Sequence, residues 1–135
     1  EALQAADIPY NPDYQIEGDR GRISARAMAK HLLSMPSPPT AIFAASDTQA
    51  IGILDVAGEM GLHIPGDLSV IGYDDIRDAE YMSLTTIDQH LDRSGIEGAT
   101  LLLELLAESN SKVPCNQIIA VDLVVRETTG PPLSS

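Results

Sequence analysis

The chain has 135 residues and sets eight Lys and Arg against twenty Asp and Glu, a formal net charge of −12 at pH 7. That balance repels phosphate backbones, so this stretch is not expected to touch nucleic acid itself. The length suits one domain with one core, apolar residues at 44% supply an interior, and no apolar run approaches the ~20 residues that span a bilayer. A single cysteine, Cys115, excludes an internal disulfide and argues against a cysteine metal site. The opening "EALQAADIPY" has neither an initiator methionine nor a signal peptide, so the sequence is expected to be a piece of something longer.

Short apolar runs alternate with helical patterns, which predicts an α/β fold with a parallel sheet flanked by helices. "YQIEGD" reads as a first strand running into a glycine turn. Residues 21–35 read as a helix, with Ile23, Ala27, Leu32 and Met35 leaning to one side, until "PSPPT" stops it. "AIFAA" (residues 41–45) is an all-apolar strand expected to be buried on both faces, with Phe43 in the core. In "SDTQ", Ser46 is an N-cap candidate, Gln49 completes a capping box, and Asp47 suits the dipole of a first turn. The helix that follows should end at Gly61 in the left-handed conformation, with Leu62 folding back and Pro65 beyond.

"LSVIGY" is the next strand, with Tyr73 expected in the core, then "DDIRDAEYMS" as a loop with one helical turn and "LTTIDQ" as a strand. Residues 95–108 form an apolar helix, "NSKVP" a turn, "NQIIAVDLVVRETT" two strand pieces, and "GPPLSS" a frayed tail.

Ligands of open α/β sheets bind outside the carboxyl ends of the strands. Three polar clusters fall there: residues 17–20 including Arg20, Ser46 with Asp47, and Asp74 with Asp75. Carboxylates and an arginine can clamp hydroxyls by charge-assisted hydrogen bonds, which suits a polar, hydroxyl-rich ligand. Position alone leaves capping, metal and ligand open for the two aspartates. The only lysines, Lys30 and Lys112, follow no strand, and neither a glycine-rich phosphate loop nor a nucleophile elbow is present, so catalysis is not expected. His31, His63 and His90 are too scattered to form a metal set. No cofactor is implied.

"PPTAIFAASDTQAIGIL", "GLHIPGDLSVIGYDDI", "LTTIDQ" and "DLVVRETT" stand in the order and spacing of the LacI/GalR family of bacterial transcription regulators, which the chain resembles over nearly its whole length. The resemblance implies a periplasmic binding protein type I-like subdomain, the C-terminal part of a cytoplasmic, homodimeric regulator. That regulator's effector is a sugar or related small metabolite, it has no membrane segment, and it meets DNA only through a headpiece not in this chain. Residues 8–83 and 117–129 would form the C-terminal subdomain, and residues 84–108 would cross to an N-terminal subdomain that is also absent.

Matched position by position, Asp74 takes the place of the sugar-binding aspartate. Ser46 replaces the usual asparagine, Arg20 stands where many members carry a stacking aromatic, and Gln89 matches a glutamine near the cleft. The resemblance places Asp47, Ala50, Ile51, Leu54, Ile76 and Tyr81 at a dimer interface, and Asp75 as anchor of the loop leading to it. Exposed leucines cost roughly 1.5–3 kcal/mol each. Without the other subdomain, the leucine-rich helix is therefore expected to fold back on its own sheet or to be buried against another copy. The competing readings are a transport sugar-binding protein of the same fold and, more remotely, a Mg²⁺-dependent hydrolase.

Overall fold

The computed structural model describes residues 1–107 and 116–132. The "NSKVP" turn, Lys112, Cys115, Glu108 and the last three residues of the tail lie outside the described residues.

A short helix α1 (Ala2–Ala5) and a 3-10 turn at Pro12–Tyr14 lead into an extended segment. The strand expected at "YQIEGD" does not form, because residues 15–19 join no ladder. Helix α2 (Arg22–Leu33) follows, then β1 (Ala41–Phe43), α3 (Asp47–Glu59) and β2 (Ser69–Ile71). The chain continues through α4 (Arg77–Tyr81), β3 (Thr86–Asp88), the long α5 (Leu91–Ala107) and β4 (Asp122–Val124).

Strands β1 and β2 pair in parallel, with Ile42 opposite Val70. A parallel bridge between Ile71 and Thr85 carries the sheet on to β3, which pairs antiparallel with β4. The fold is thus α/β as expected, but its far ladder is antiparallel. Of the two strand pieces expected in "NQIIAVDLVVRETT", only β4 forms. Residues 84–88, expected with the crossing segment, belong to this sheet: Leu84, Thr85 and Thr86 are buried.

The core lies between α2, α3 and the sheet, around Ala29, Ala50, Ile53, Val56, Val70 and Leu84. Helix α2 buries Ala25, Ala29, Leu32 and Leu33, so its inner stripe is rotated from the one expected, and Ile23 is 86% exposed. Small alanines at this face let α2 lie close against α3. Across that contact Arg22 makes a bidentate pair with Asp55 (2.7 and 2.8 Å), and Arg26 reaches Glu59 at 2.6 Å. Phe43 is 62% exposed, because β1 has a strand on one side only among the described residues, and Tyr73 is half-buried.

Helix α3 ends as its sequence dictates. Gly61 adopts φ +72°, Leu62 N–H reaches back to Ala57 O (2.9 Å) and Gly61 N–H to Gly58 O (3.1 Å), a Schellman closure. Helix α5 behaves otherwise. It buries no residue, and Ile96, Leu102, Leu103 and Leu106 are all more than half exposed, so the helix does not fold back on this sheet. No helix among the described residues is long and apolar enough to cross a membrane.

Among the buried polar residues, Asp47 is a carboxylate with no exposed surface. Its carboxylate accepts the N–H of Ile76 (2.9 Å) and the hydroxyl of Thr86, while its own N–H donates to Tyr73 O (2.7 Å). A Cβ on Gly72 would sit 2.1 Å from Asp47 Oδ1, so glycine is required beside that carboxylate. Replacing Asp47 by Ala strands the half-buried N–H of Ile76 and the buried hydroxyl of Thr86. Urea denaturation should show a loss of about 3 kcal/mol, and a loss below about 1 kcal/mol would contradict this role. Gly72→Ala should destabilise through the same contact.

Candidate functional site

The loop of residues 72–76 leaves β2 at its carboxyl end and is held from below by Asp47. Gly72 N–H donates to Thr85 O and Asp74 N–H to Ile87 O, each at 2.9 Å, so the loop continues the pairing with β3. Two adjacent residues there have positive φ, Asp74 at 120° and Asp75 at 52°. Aspartate tolerates the left-handed region better than most residues, but φ near 120° lies outside it and persists only where neighbours dictate the backbone.

These constraints turn Asp74 toward Gln89, at the end of β3, whose Nε2 donates to Asp74 Oδ1 at 2.5 Å. Burial pushes the Asp74 carboxyl above its ordinary value, and the neighbouring Asp47 adds to that, while the Gln89 amide and the positive charge of Arg20 pull the other way. The arrangement is a half-buried carboxylate beside a side-chain amide, with a guanidinium close enough to be felt. Such a group accepts from hydroxyls through Asp74 and exchanges both donor and acceptor bonds through Gln89.

Of the expected effector residues, Asp74 and Gln89 are therefore in contact, and Arg20 is exposed within electrostatic reach. Ser46 serves as the N-cap of α3, its Oγ accepting from Gln49 N at 3.3 Å. The reciprocal half of the capping box is absent: Gln49 Nε2 instead donates to Asp19 O (3.2 Å) and ties the segment before Arg20 to α3.

The residues expected at a dimer interface divide. Asp47 and Ala50 have no exposed surface and Ile51 is buried within the chain. Helix α3 is packed between α2 and the sheet, and its inner face is already used. Leu54 and Ile76 are half-buried, and Tyr81 is 72% exposed.

Sequence reasoning missed Arg126. Its Nη2 lies 2.8 Å from Asp75 Oδ1, off the line of a directed hydrogen bond, so the contact is a charge pair, and its Nη1 donates to Leu84 O at 2.7 Å. It also missed His90, whose ring nitrogens face Asp88 (3.0 Å) and Asp122 (2.9 Å) where β3 gives way to α5. The signal for both was weak: a lone Arg in an alternating strand and a lone His after a strand read as surface residues. No group of three or more metal-ligating side chains converges among the described residues.

A cavity of about 420 Å³ lies between α2, the 14–20 segment and β1, and its lining includes Tyr14, Arg20, Met28, Phe43 and Gln49. Ser46, Asp74 and Gln89 do not line it.

The chain matches the periplasmic binding protein-like domain over residues 1–129. It is 35% identical over 113 residues to the probable transcriptional repressor ExuR of Bacillus subtilis, covering 82% of this chain and 34% of that protein. It is 41% identical over 106 residues to the transcriptional repressor PurR of Photorhabdus laumondii, covering 77% of this chain and 31% of that protein. The chain thus spans about a third of the length of these relatives. Among solved structures, it is similar to a LacI-type regulator from Bacillus cereus subsp. cytotoxis (TM-score 0.91, 29% identity, 98% of this chain and 47% of that one). It is also similar to the regulator CelR in complex with cellobiose (TM-score 0.85, 32% identity, 94% of this chain and 39% of that one).

The raised Asp74 value carries a sign. Its stabilising contribution is complete below the ordinary carboxylate value of 3.8 and is lost as pH climbs through the raised one. An Asp74→Asn variant lacks that loss, so its stability relative to the parent should grow between acid and neutral pH when both are unfolded in urea. A difference that stays flat with pH would contradict the burial of this carboxyl.

Proposed function

The chain belongs to the periplasmic binding protein-like domain family, and from that premise we propose that it is the effector-binding and dimerisation part of a LacI-type transcription regulator. The effector is a sugar or a related small, hydroxyl-rich metabolite. The observation that carries this reading is the Asp74–Gln89 pair at the carboxyl edge of the sheet, with Arg20 close by. Asp74 accepts from ligand hydroxyls, Gln89 adds a donor and an acceptor, and Arg20 suits a ligand that carries negative charge. The sugar bound by CelR and the repressor names of the sequence relatives support a regulator over a transport protein of the same fold.

The other half of the regulator meets this part through two surfaces. The bare apolar face of α5 is covered by the complementary subdomain, so the sheet and α5 lie on opposite sides of the ligand cleft. Ligand closing that cleft shifts one subdomain against the other. Leu54, Ile76 and Tyr81 contribute to contact with a second copy, and the shift changes how two DNA-binding headpieces are spaced.

The test uses the full-length protein and titration calorimetry against neutral sugars, sugar acids and sugar phosphates. One class should bind, and Asp74→Ala should weaken it by about 10- to 100-fold, the value of charge-assisted hydrogen bonds lost to a carboxylate. Unchanged affinity in that variant would remove Asp74 from the site, and no binding by any of these compounds would overturn the sugar reading.

A further inference from the structure

The conformation that presents Asp74 is held on three sides, and two holds come from groups already described: Asp47, through Tyr73 O and Ile76 N–H, and β3, through Ile87 O. Neither touches Asp75, which is the second of the two consecutive positive-φ residues. Its carboxylate is largely buried, with 22% of the side chain exposed, and Oδ1 has no directed hydrogen bond among the described residues. What balances it is Arg126, 2.8 Å away and itself 19% exposed.

Arg126 is fixed in turn. Its Nη1 donates to Leu84 O and its backbone N–H donates to Thr85 Oγ1 (2.9 Å); two residues on, Thr128 bonds β2 twice, its Oγ1–H donating to Val70 O and its carbonyl accepting from Val70 N–H. The segment of residues 126–130 is therefore a strap laid across β2 and the start of β3, and its one cation is aimed at the loop.

We propose that Arg126 is a positioning residue: by pairing with Asp75 it fixes the strained Asp74–Asp75 backbone and so sets the contact of Asp74 with Gln89, without itself meeting the effector. The proposal rests on the reading of Asp74 as the effector contact only for its functional meaning. The physical link runs through Asp75. Without Arg126, a buried carboxylate is left unpaired and gains by turning to water. Only the flanking bonds at Asp74 N–H and Ile76 N–H then hold Asp75 near φ +52°, and the residue before it relaxes from φ 120°.

The test needs no effector, so its failure is separate from failure of the effector reading. In the full chain, the side-chain amide of Gln89 and the carboxyl carbon of Asp74 are followed by NMR in Arg126→Gln and Arg126→Lys. Loss of the guanidinium should shift the Gln89 amide resonances toward those of a free side chain and lower the Asp74 titration midpoint toward the ordinary carboxylate value. Backbone amides of α2 and α3 should stay in place, and lysine should restore part of the effect. A merely structural role would reduce stability and leave both site signals where they were in the folded variant, and that result overturns the proposal. Should Arg126→Gln fail to fold, Asp75→Asn removes the same charge pair at constant size. It must move the same two signals, and if they stay the proposal falls.

Discussion

Asp47 has no exposed surface, yet its carboxylate receives the backbone N–H of Ile76 and the hydroxyl of Thr86 while its own N–H reaches Tyr73 O. One side chain in the first turn of α3 thereby joins the helix, the loop after β2 and the start of β3. A buried carboxylate is tolerable only where donors meet it, and here a backbone amide, a threonine and the N-terminal end of a helix do so. The requirement reaches Gly72, where any side chain would collide with Asp47 Oδ1. The loop that displays Asp74 is thus set by the interior of the chain. Burial raises the carboxyl value of Asp74, and the nearby Asp47 charge adds to it.

What was legible in the sequence follows how local each feature is. Both ends of α3 could be read from the sequence, although the burial of β1 and the capping-box role of Gln49 could not. Ser46 at the N-cap and Gly61 with Leu62 at the C-terminus are interactions among neighbours in the chain. The place of the acids at the tip of β2 was legible for the same reason: a run of apolar residues ending in two aspartates puts them at the sheet's edge. The strand at "YQIEGD" was not obtained, since a strand exists only through a partner. The face of α2 was misjudged because alanines, not the larger Ile23, face α3 at close range.

Asp47, Ala50 and Ile51 follow one another closely along α3, and the fold buries all three within the chain. Sequence spacing tells that residues share a helix face; it does not tell which layer that face meets. Arg126 and Asp75 stayed hidden for a different reason. They are 51 positions apart, and only the return of the chain's end across β2 brings them together. The apolar face of α5 is the reverse case, legible in sequence as a face that needs a partner and left bare in this chain. A helix with that face, joined to a sheet whose polar edge converges on Asp74, is what one half of a two-part ligand cleft requires.

Backbone amide shifts of the full-length protein, mapped while it is titrated with a panel of neutral and acidic sugars, test this account most directly. The account predicts that the compound that binds moves resonances centred on Asp74 and Gln89. Shifts centred instead on the cavity lined by Tyr14, Met28 and Phe43 would contradict it.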